Sequence, residues 1–145
     1  MAGSPRAVSD ESGSIVEWPA YQRARNELGS DFVRILAYFR EDGIKSVATI
    51  EAAMRGGDAV ALVVPAHTLK GEARQFGAMQ LGALAELIEM TARRCIEDHV
   101  FPDELITEVV KLRPLFEQTL ELCEQEATPP AARRAGVFGR KVQAL

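Results

Sequence analysis

The feature that most constrains this chain is the spacing of its apolar residues, which recur every three or four positions through four long segments. Such spacing places apolar side chains along one side of an α-helix, where they can pack against neighbouring helices. No segment shows the alternation of polar and apolar residues that marks a β-strand, and no β-hairpin turn sequence occurs. The sequence therefore predicts an all-α fold.

Glycine and proline divide the chain into its predicted helices. Pro19 opens a short first helix, where its missing amide hydrogen is harmless because the first amides of a helix lack partners. Gly29 separates that helix from a long second one, the pair at 56–57 ends the second, and Gly77 ends the third. A fourth helix follows, and Pro102 opens the last. Four long antiparallel helices joined by short loops predict an up-down four-helix bundle with a short additional N-terminal helix.

Three residues inside the predicted helices favour local irregularity. Pro114 should kink the last helix, because a proline ring replaces an amide donor there. Gly43 is a candidate bend in the second helix. Pro65 is either a bend just before the functional segment or a proline tolerated near the start of the third helix, and the two interpretations stay open.

The chain has the size and composition of one domain. Its 145 residues are 47% hydrophobic, which is ample for a single continuous core. Residues 1–17 are rich in Ser, Gly and charge without an apolar period, which predicts a flexible leader. The bundle domain is expected over 18–127. Residues 128–145 are predicted to form a flexible basic tail that carries Arg133, Arg134, Arg140 and Lys141.

Charge and composition exclude several classes of partner. The net charge of −4, from 17 basic and 21 acidic residues, argues against nucleic acid or an anionic membrane as the main partner. The longest apolar run, Ala59–Ala66, is far shorter than the roughly 20 residues of a membrane span. Cys95 and Cys123 lack the spacing of a zinc site or a disulfide scaffold, so we expect reduced thiols and a cytoplasmic protein. No metal site is predicted.

The third predicted helix carries an outward-facing histidine. At about 100° per residue, its core-facing seam consists of Leu62, Ala66, Leu69, Ala73 and Phe76. His67 lies roughly 140° from the centre of that seam and should face solvent. Three valines project to the same side, and exposed apolar area beside polar groups commonly marks a protein docking site. The predicted partner-binding valines are Val60, Val63 and Val64.

The residues one turn after His67 indicate that it is a functional histidine rather than an ordinary surface residue. Gly71, at i+4, costs about 1 kcal/mol in a helix interior, so its presence indicates a need for space beside the imidazole. Lys70, at i+3, is a compact cation able to offset phosphate charge. Arg74 widens the positive field, and Gln75 could hydrogen-bond to phosphate or to a partner. His99 lies in a predicted loop and is interpreted as a surface residue.

The run His67-Thr68-Leu69-Lys70-Gly71, followed by Phe76-Gly77-Ala78, resembles the signature of histidine-containing phosphotransfer (HPt) domains of bacterial phosphorelays. The resemblance extends from about Trp18 to Glu126. It implies a four-helix bundle with an added N-terminal helix, and it implies that His67 is the phosphorylated residue. By the same resemblance, Lys70 assists the phosphoryl group and Gly71 leaves room for it.

The resemblance also implies partners and a division of labour. His67 would accept a phosphoryl group from the aspartate of a receiver domain and pass it to another receiver domain. The receiver would contribute the aspartate, a bound Mg²⁺ and most of the catalysis. The expected partners are response regulator receiver domains and a hybrid histidine kinase. The chain would be a monomeric carrier without a cofactor of its own rather than an enzyme.

The rival interpretation is a non-catalytic helical adaptor that binds and sequesters receiver domains. Its best argument is Glu72, which stands where many family members have serine or alanine and which adds negative charge near the site. A dimeric histidine phosphotransferase would need a second α/β domain, for which the chain has no room. A purely structural bundle leaves Gly71 beside an outward histidine unexplained.

Overall fold

The computed structural model describes residues 15–128, and every regular element within that range is helical. The α-helices are α1 (Trp18–Leu28), α2 (Phe32–Arg55), α3 (Ala59–Gln75), α4 (Met79–Asp98), α5 (Ile106–Val109) and α6 (Leu112–Ala127). Two 3₁₀ turns, Gly29–Asp31 and Asp103–Leu105, precede α2 and α5. The predicted all-α class is confirmed, and α1 has Pro19 in its first turn and ends directly before Gly29, as predicted.

The four long helices form a closed ring of neighbours. Helix α2 packs against α3, α3 against α4, α4 against α6, and α6 against α2. Ion pairs between α2 and α6 join Arg40 to Glu124 at 2.9 Å and Glu51 to Arg113 at 2.7 Å, so these two helices run in opposite directions. The short α1 packs on α2 and α3. This arrangement confirms the predicted four-helix bundle with an additional N-terminal helix.

The predicted apolar stripes form the core. All five seam residues, four on α3 and Phe76 directly after it, are fully buried. The inward stripe of the last helical segment is buried as well, and it consists of Leu105, Val109, Leu112, Phe116, Thr119 and Cys123. A chain of ring contacts then crosses the bundle, with centroids 5.1 to 5.7 Å apart. In order of contact, these rings belong to Trp18, Tyr21, Phe32, Phe76, Phe39 and Phe116.

Gly43 allows two helices to pack closely, and Pro114 interrupts the hydrogen bonding of the last helical segment. Helix α2 continues through Gly43, where a Cβ would collide with the ring of Phe116, so close helix packing explains this glycine. The irregularity predicted at Pro114 lies earlier, at Val110–Lys111 between α5 and α6. Proline cannot donate to the carbonyl four residues before it, which is that of Val110, and its ring crowds that carbonyl. The helix is therefore interrupted one turn before the proline.

The packed domain begins earlier than predicted. Ile15 and Val16 are buried in the core, and the amide of Glu17 donates to the carbonyl of Gly77 at 2.7 Å. Gly77 has a φ of 76°, and a Cβ there would lie 2.6 Å from the Glu17 carbonyl oxygen, so only glycine allows this close approach. Residues 15–17 therefore belong to the bundle, because Ile15 and Val16 are part of the core and the backbone of Glu17 is bonded to the α3–α4 turn. The rest of the predicted leader, and the tail after residue 128, lie outside the described residues.

Candidate functional site

His67 lies in the middle of α3 and faces outward, as its position relative to the seam predicts. Its side chain is 62% exposed, whereas Ala66 and Leu69 beside it are fully buried. Val60, Val64, His67 and Gly71 follow one another at steps of four, three and four residues, so they lie in a row along the helix. We call these four residues the outward row.

A carboxylate from the neighbouring helix holds one nitrogen of the imidazole. Nδ1 of His67 lies 3.0 Å from Oε2 of Glu89, which is on α4 and is only 3% exposed. An ionised carboxylate can only accept hydrogen bonds, so the proton of this contact belongs to Nδ1. The lone pair of the neutral ring is then on Nε2, which does not take part in this contact. The free nitrogen is the one that a nucleophilic imidazole needs.

Three basic or donor groups surround the Glu89 carboxylate. Nζ of Lys70 lies 2.8 Å from Oε1, and Nη2 and Nε of Arg93 donate to Oε2 at 2.9 and 3.1 Å. Burial by itself would raise the pKa of Glu89, but the contacts from Lys70, Arg93 and His67 outweigh it and lower the pKa to about 2. The carboxylate therefore stays ionised across the physiological pH range and remains an acceptor for the Nδ1 proton.

Sequence reasoning missed Glu89. The residue lies on the buried face of α4, one position after Ile88 and four after Ala85, both of which are fully buried. A lone carboxylate on an otherwise apolar stripe is the signal that could have found it, because an ionised side chain is buried only with partners. The identity of those partners could not be read from α4 alone.

The residues predicted beside His67 occupy two different environments. Lys70 is half-buried and directed to Glu89, so in this state its charge is already balanced by that carboxylate. Gly71 is exposed, and a Cβ placed there would have no neighbour within 4 Å. Packing therefore does not require glycine at this position. Room for a group approaching the imidazole stays the predicted reason.

The model of the Hpt domain family matches residues 34–128, well over half of the 145-residue chain. The chain belongs to the Hpt domain family. A crystal structure of histidine-containing phosphotransfer protein B (HptB) from Pseudomonas aeruginosa PAO1 is similar in fold, with a TM-score of 0.64 and 24% sequence identity. The match covers 74% of this chain and 90% of that chain. No curated protein sequence matches significantly.

Two of the three predicted valines lie on the exposed surface of this Hpt domain. Val60 and Val64 are strongly exposed in the outward row, with 71% exposure for Val64. Val63 is only partly buried but packs against the core, in contrast to its predicted outward position. Val63 precedes Val64 by one residue, so its side chain lies about 100° around the helix from that of Val64 and faces the core.

Arg74 and Gln75 lie near the end of α3, beyond Gly71. The guanidinium of Arg74 is paired with Glu86 of α4, and its aliphatic chain lies over Gly82, so its positive charge is largely offset within the domain. Gln75 is exposed and lines a groove of about 300 Å³ between α1 and the start of α4. The predicted role of each towards phosphate or a partner stays a prediction.

Glu72 does not add a negative charge to the His67 face. It is half-buried beside Asp42 of α2; burial first, and the neighbouring carboxylate second, raise its pKa to about 8. A carboxyl group with such a pKa is mostly protonated at neutral pH. This environment weakens the argument that Glu72 brings negative charge to the His67 face, and the non-catalytic adaptor stays an alternative.

His99, possible metal ligands and possible membrane spans are the remaining features to describe. His99 is exposed and adopts the left-handed conformation that ends α4, in agreement with its interpretation as a surface residue. Among residues 15–128, no three His, Cys, Asp or Glu side chains converge as metal ligands would. None of the described helices has the length and apolarity that crossing a membrane requires.

Proposed function

We propose that this Hpt domain accepts a phosphoryl group on Nε2 of His67 from a receiver-domain aspartate and passes it to another receiver domain. Membership of the Hpt family supports a phosphotransfer role in a phosphorelay. The single observation that carries the residue assignment is the exposed imidazole whose Nδ1 is engaged by the buried Glu89. That contact leaves Nε2 as the nitrogen available to an incoming phosphorus atom.

The transfer step balances with the groups that this chain and a phosphorylated receiver supply. The Nε2 lone pair attacks phosphorus, the N–P bond forms, and the P–O bond to the aspartate breaks with its electron pair leaving on the carboxylate. The phosphorylated ring keeps its Nδ1 proton and becomes cationic beside the Glu89 carboxylate, which offsets that charge. Forward transfer to a second receiver reverses the same steps.

The proposal makes the chain a carrier and leaves most of the catalysis to its partner. The receiver supplies the aspartate and, in this proposal, the Mg²⁺ ion that balances phosphate charge, while a hybrid histidine kinase supplies the phosphoryl group upstream. Such exchange suits a cytoplasmic monomer, and the two cysteines, Cys95 and Cys123, are free and buried.

The assignment of His67 is tested by labelling with a phosphorylated receiver domain. Purified wild type, His67→Gln and His99→Gln are each incubated with a panel of receiver domains carrying radiolabelled phosphoaspartate. His99→Gln is the matched control, because it removes the chain's other histidine, which is exposed and lies after the end of α4. We expect acid-labile, alkali-stable label on wild type and His99→Gln and none on His67→Gln.

Two results would contradict this proposal in different ways. Label retained by His67→Gln would remove that residue from the phosphorylated position. Receiver binding without label on the wild type would favour the adaptor.

A further inference from the structure

Phe101 is the most exposed large apolar side chain in the described part of this chain, with 74% of its surface open to solvent. It lies in the connection between α4 and the 3₁₀ turn that precedes α5. Burying a phenylalanine ring is favourable relative to leaving it exposed to water. Buried aromatic rings often dominate the energetics of protein interfaces. The position of this ring therefore indicates a contact with another molecule.

The backbone on both sides of Phe101 is well restrained. His99 takes a left-handed conformation with φ 57°, and the amide of Val100 donates to the carbonyl of Cys95 at 3.0 Å. The buried Pro102 follows, which restricts the residue before it to an extended conformation. The ring is thus presented from a defined turn, so little conformational entropy is lost when a partner covers it.

The ring of Phe101 lies at the α2–α3 turn, just before the N-terminal end of the helix that carries the outward row. Its Cδ1 atom lies 3.5 Å from the position of a Cβ on Gly57, two residues before the start of α3. Val60 follows Gly57 by three residues, and Val64 and His67 follow Val60 by four and seven. We call Phe101, Val60 and Val64 the apolar strip. Its residues lie at the α2–α3 turn and along the first half of α3, which ends at His67.

The border of the apolar strip near Phe101 is acidic. Residues 97–104 contain four exposed carboxylates and no lysine or arginine, although Arg94 on α4 pairs with one of them. The four are Glu97, Asp98, Asp103 and Glu104. A complementary surface therefore has an apolar depression bordered by lysine or arginine side chains. A second copy of this chain would instead bring an equally acidic border against the first.

We infer that the receiver domain docks asymmetrically on this Hpt domain, covering the apolar strip from His67 to the α2–α3 turn, with Phe101 as its anchor. This inference rests on the proposed function and adds a specificity-determining residue from outside the histidine-bearing helix. The partner that fits is a receiver with an apolar depression beside basic side chains. The distance between this depression and the receiver's aspartate should match the distance between Phe101 and His67. Receivers that lack this feature are discriminated against in binding rather than in chemistry.

The test compares Phe101→Ala with Val33→Ala, using the receiver domain that labels the wild type most rapidly. Val33 is a matched control, because it is 66% exposed and lies at the opposite end of α2, roughly 30 Å along that helix from the α2–α3 turn. Binding is measured by calorimetry and transfer by label as a function of receiver concentration. Unchanged thermal melting establishes that each variant is folded.

We expect Phe101→Ala to raise Kd about tenfold or more, as loss of an interface anchor does. The transfer rate at saturating receiver should stay unchanged, because the ring does not contact His67. Val64→Ala should weaken binding in the same direction, and Val33→Ala should not. Raising NaCl from about 50 to 500 mM should slow association, because it screens the acidic border.

The outcomes separate this inference from the proposed function. Wild-type binding by Phe101→Ala and Val64→Ala, with label still on His67, would overturn the docking surface and leave the relay intact. Binding that is intact in His67→Gln but weakened by Phe101→Ala supports the surface whatever the fate of the phosphoryl group. A dimer in solution that Phe101→Ala dissolves, or no receiver binding by the wild type, would overturn the inference.

Discussion

Glu89 determines the chemical state of His67 at the scale of single residues. The histidine and the carboxylate are 22 positions apart and on different helices, yet their atoms lie 3.0 Å apart. Because the carboxylate is nearly inaccessible and carries contacts from Lys70 and Arg93, it cannot be moved without leaving charges unpaired. The imidazole is therefore held in one orientation and one tautomer before any partner arrives.

Replacing Glu89 by glutamine should slow phosphoryl transfer. The amide can either donate or accept, so it no longer restricts the proton to Nδ1, and it leaves Lys70 and Arg93 without a counter-charge. We expect the transfer rate to fall about 10- to 100-fold, as misoriented reacting groups commonly cause. Nitrogen NMR of the imidazole should show a mixture of tautomers in the variant and one tautomer in the wild type.

Glu86→Gln is the control for this substitution. Glu86 is on the same helix and also pairs with a cation of α3, but it is exposed and does not contact His67. It should leave both the rate and the tautomer unchanged. A single tautomer and a wild-type rate in Glu89→Gln would mean that the carboxylate is only structural.

The Glu72–Asp42 pair makes stability depend on pH. Glu72 keeps its proton up to about pH 8 in the folded domain, whereas in the unfolded chain it ionises near its ordinary pKa of 4.5. Between these values the folded state binds more protons than the unfolded state, so the free energy of unfolding falls as pH rises. The Glu72→Gln side chain cannot ionise. We expect the free energy of unfolding of this variant to match that of the wild type near pH 4 and to exceed it by an increasing amount up to about pH 8.

Urea denaturation across this pH range measures the effect. Asp42→Asn should shift the pH dependence in the same direction, because it removes the neighbouring charge that raises the pKa of Glu72. Parallel stability curves for wild type and Glu72→Gln would show that this carboxyl group ionises normally in the folded domain.

At the scale of elements, α3 has one face that packs and one that is left open. The five seam residues are fully buried between α2 and α4, while the outward row is exposed. The glycine of the outward row, Gly71, is exposed, whereas Gly43 of helix α2 is buried against Phe116. The same residue type thus serves close packing in one helix and open surface in the next.

Gly71→Ala should stabilise the domain and slow transfer. A Cβ at this position meets nothing within 4 Å, and alanine is favoured over glycine in a helix interior by about 1 kcal/mol. If an incoming phosphoryl group uses the space beside His67, the added methyl group and larger side chains should reduce the transfer rate progressively. Urea denaturation and labelling rates measure the two effects separately.

Gly43→Ala is the contrasting variant, expected to lose about 1 to 3 kcal/mol of stability through collision with Phe116. Its transfer rate, measured well below its unfolding transition, should stay near that of the wild type. A stabilising effect of both alanines would show that helix propensity alone governs these positions.

At the scale of the whole molecule, the first helix, α1, is hydrogen-bonded to the last helix, α6. The hydroxyl of Tyr21 donates to the carbonyl of Cys123 in α6 at 2.7 Å within the core. Arg25 donates to the carbonyls of Glu126 and Ala127 at the end of the same helix. The short N-terminal helix therefore caps the last one, which stabilises the ring of four helices without contacting His67.

Tyr21→Phe should reduce stability without changing transfer. The substitution removes one buried hydrogen bond and keeps the edge-to-face ring contacts, so we expect a loss of about 1 kcal/mol in the free energy of unfolding. Tyr38→Phe, at an exposed position on α2, should change stability by less than about 0.5 kcal/mol. Urea denaturation of both variants measures the difference, and equal losses would show that the Cys123 contact does not stabilise the fold.

The helices, the core stripes and the outward position of His67 can all be predicted from the sequence. These features follow from local periodicity and from breaks at glycine and proline, which act within a few residues of the chain. The residues around the signature also indicated the family that the Hpt match shows. The start of the packed domain was placed too late, because Ile15 and Val16 are buried in the core and the amide of Glu17 is hydrogen-bonded to the distant turn at Gly77.

Only the tertiary structure decided which side chains from different helices meet. The contact of Glu89 with His67, the pairing of Glu72 with Asp42, and the position of Phe101 beside Gly57 all join separate elements. Periodicity assigns each helix a buried face, but the register and crossing of two packed helices depend on how their whole surfaces interlock. Charges that look independent along the chain therefore become one site only when the helices are assembled.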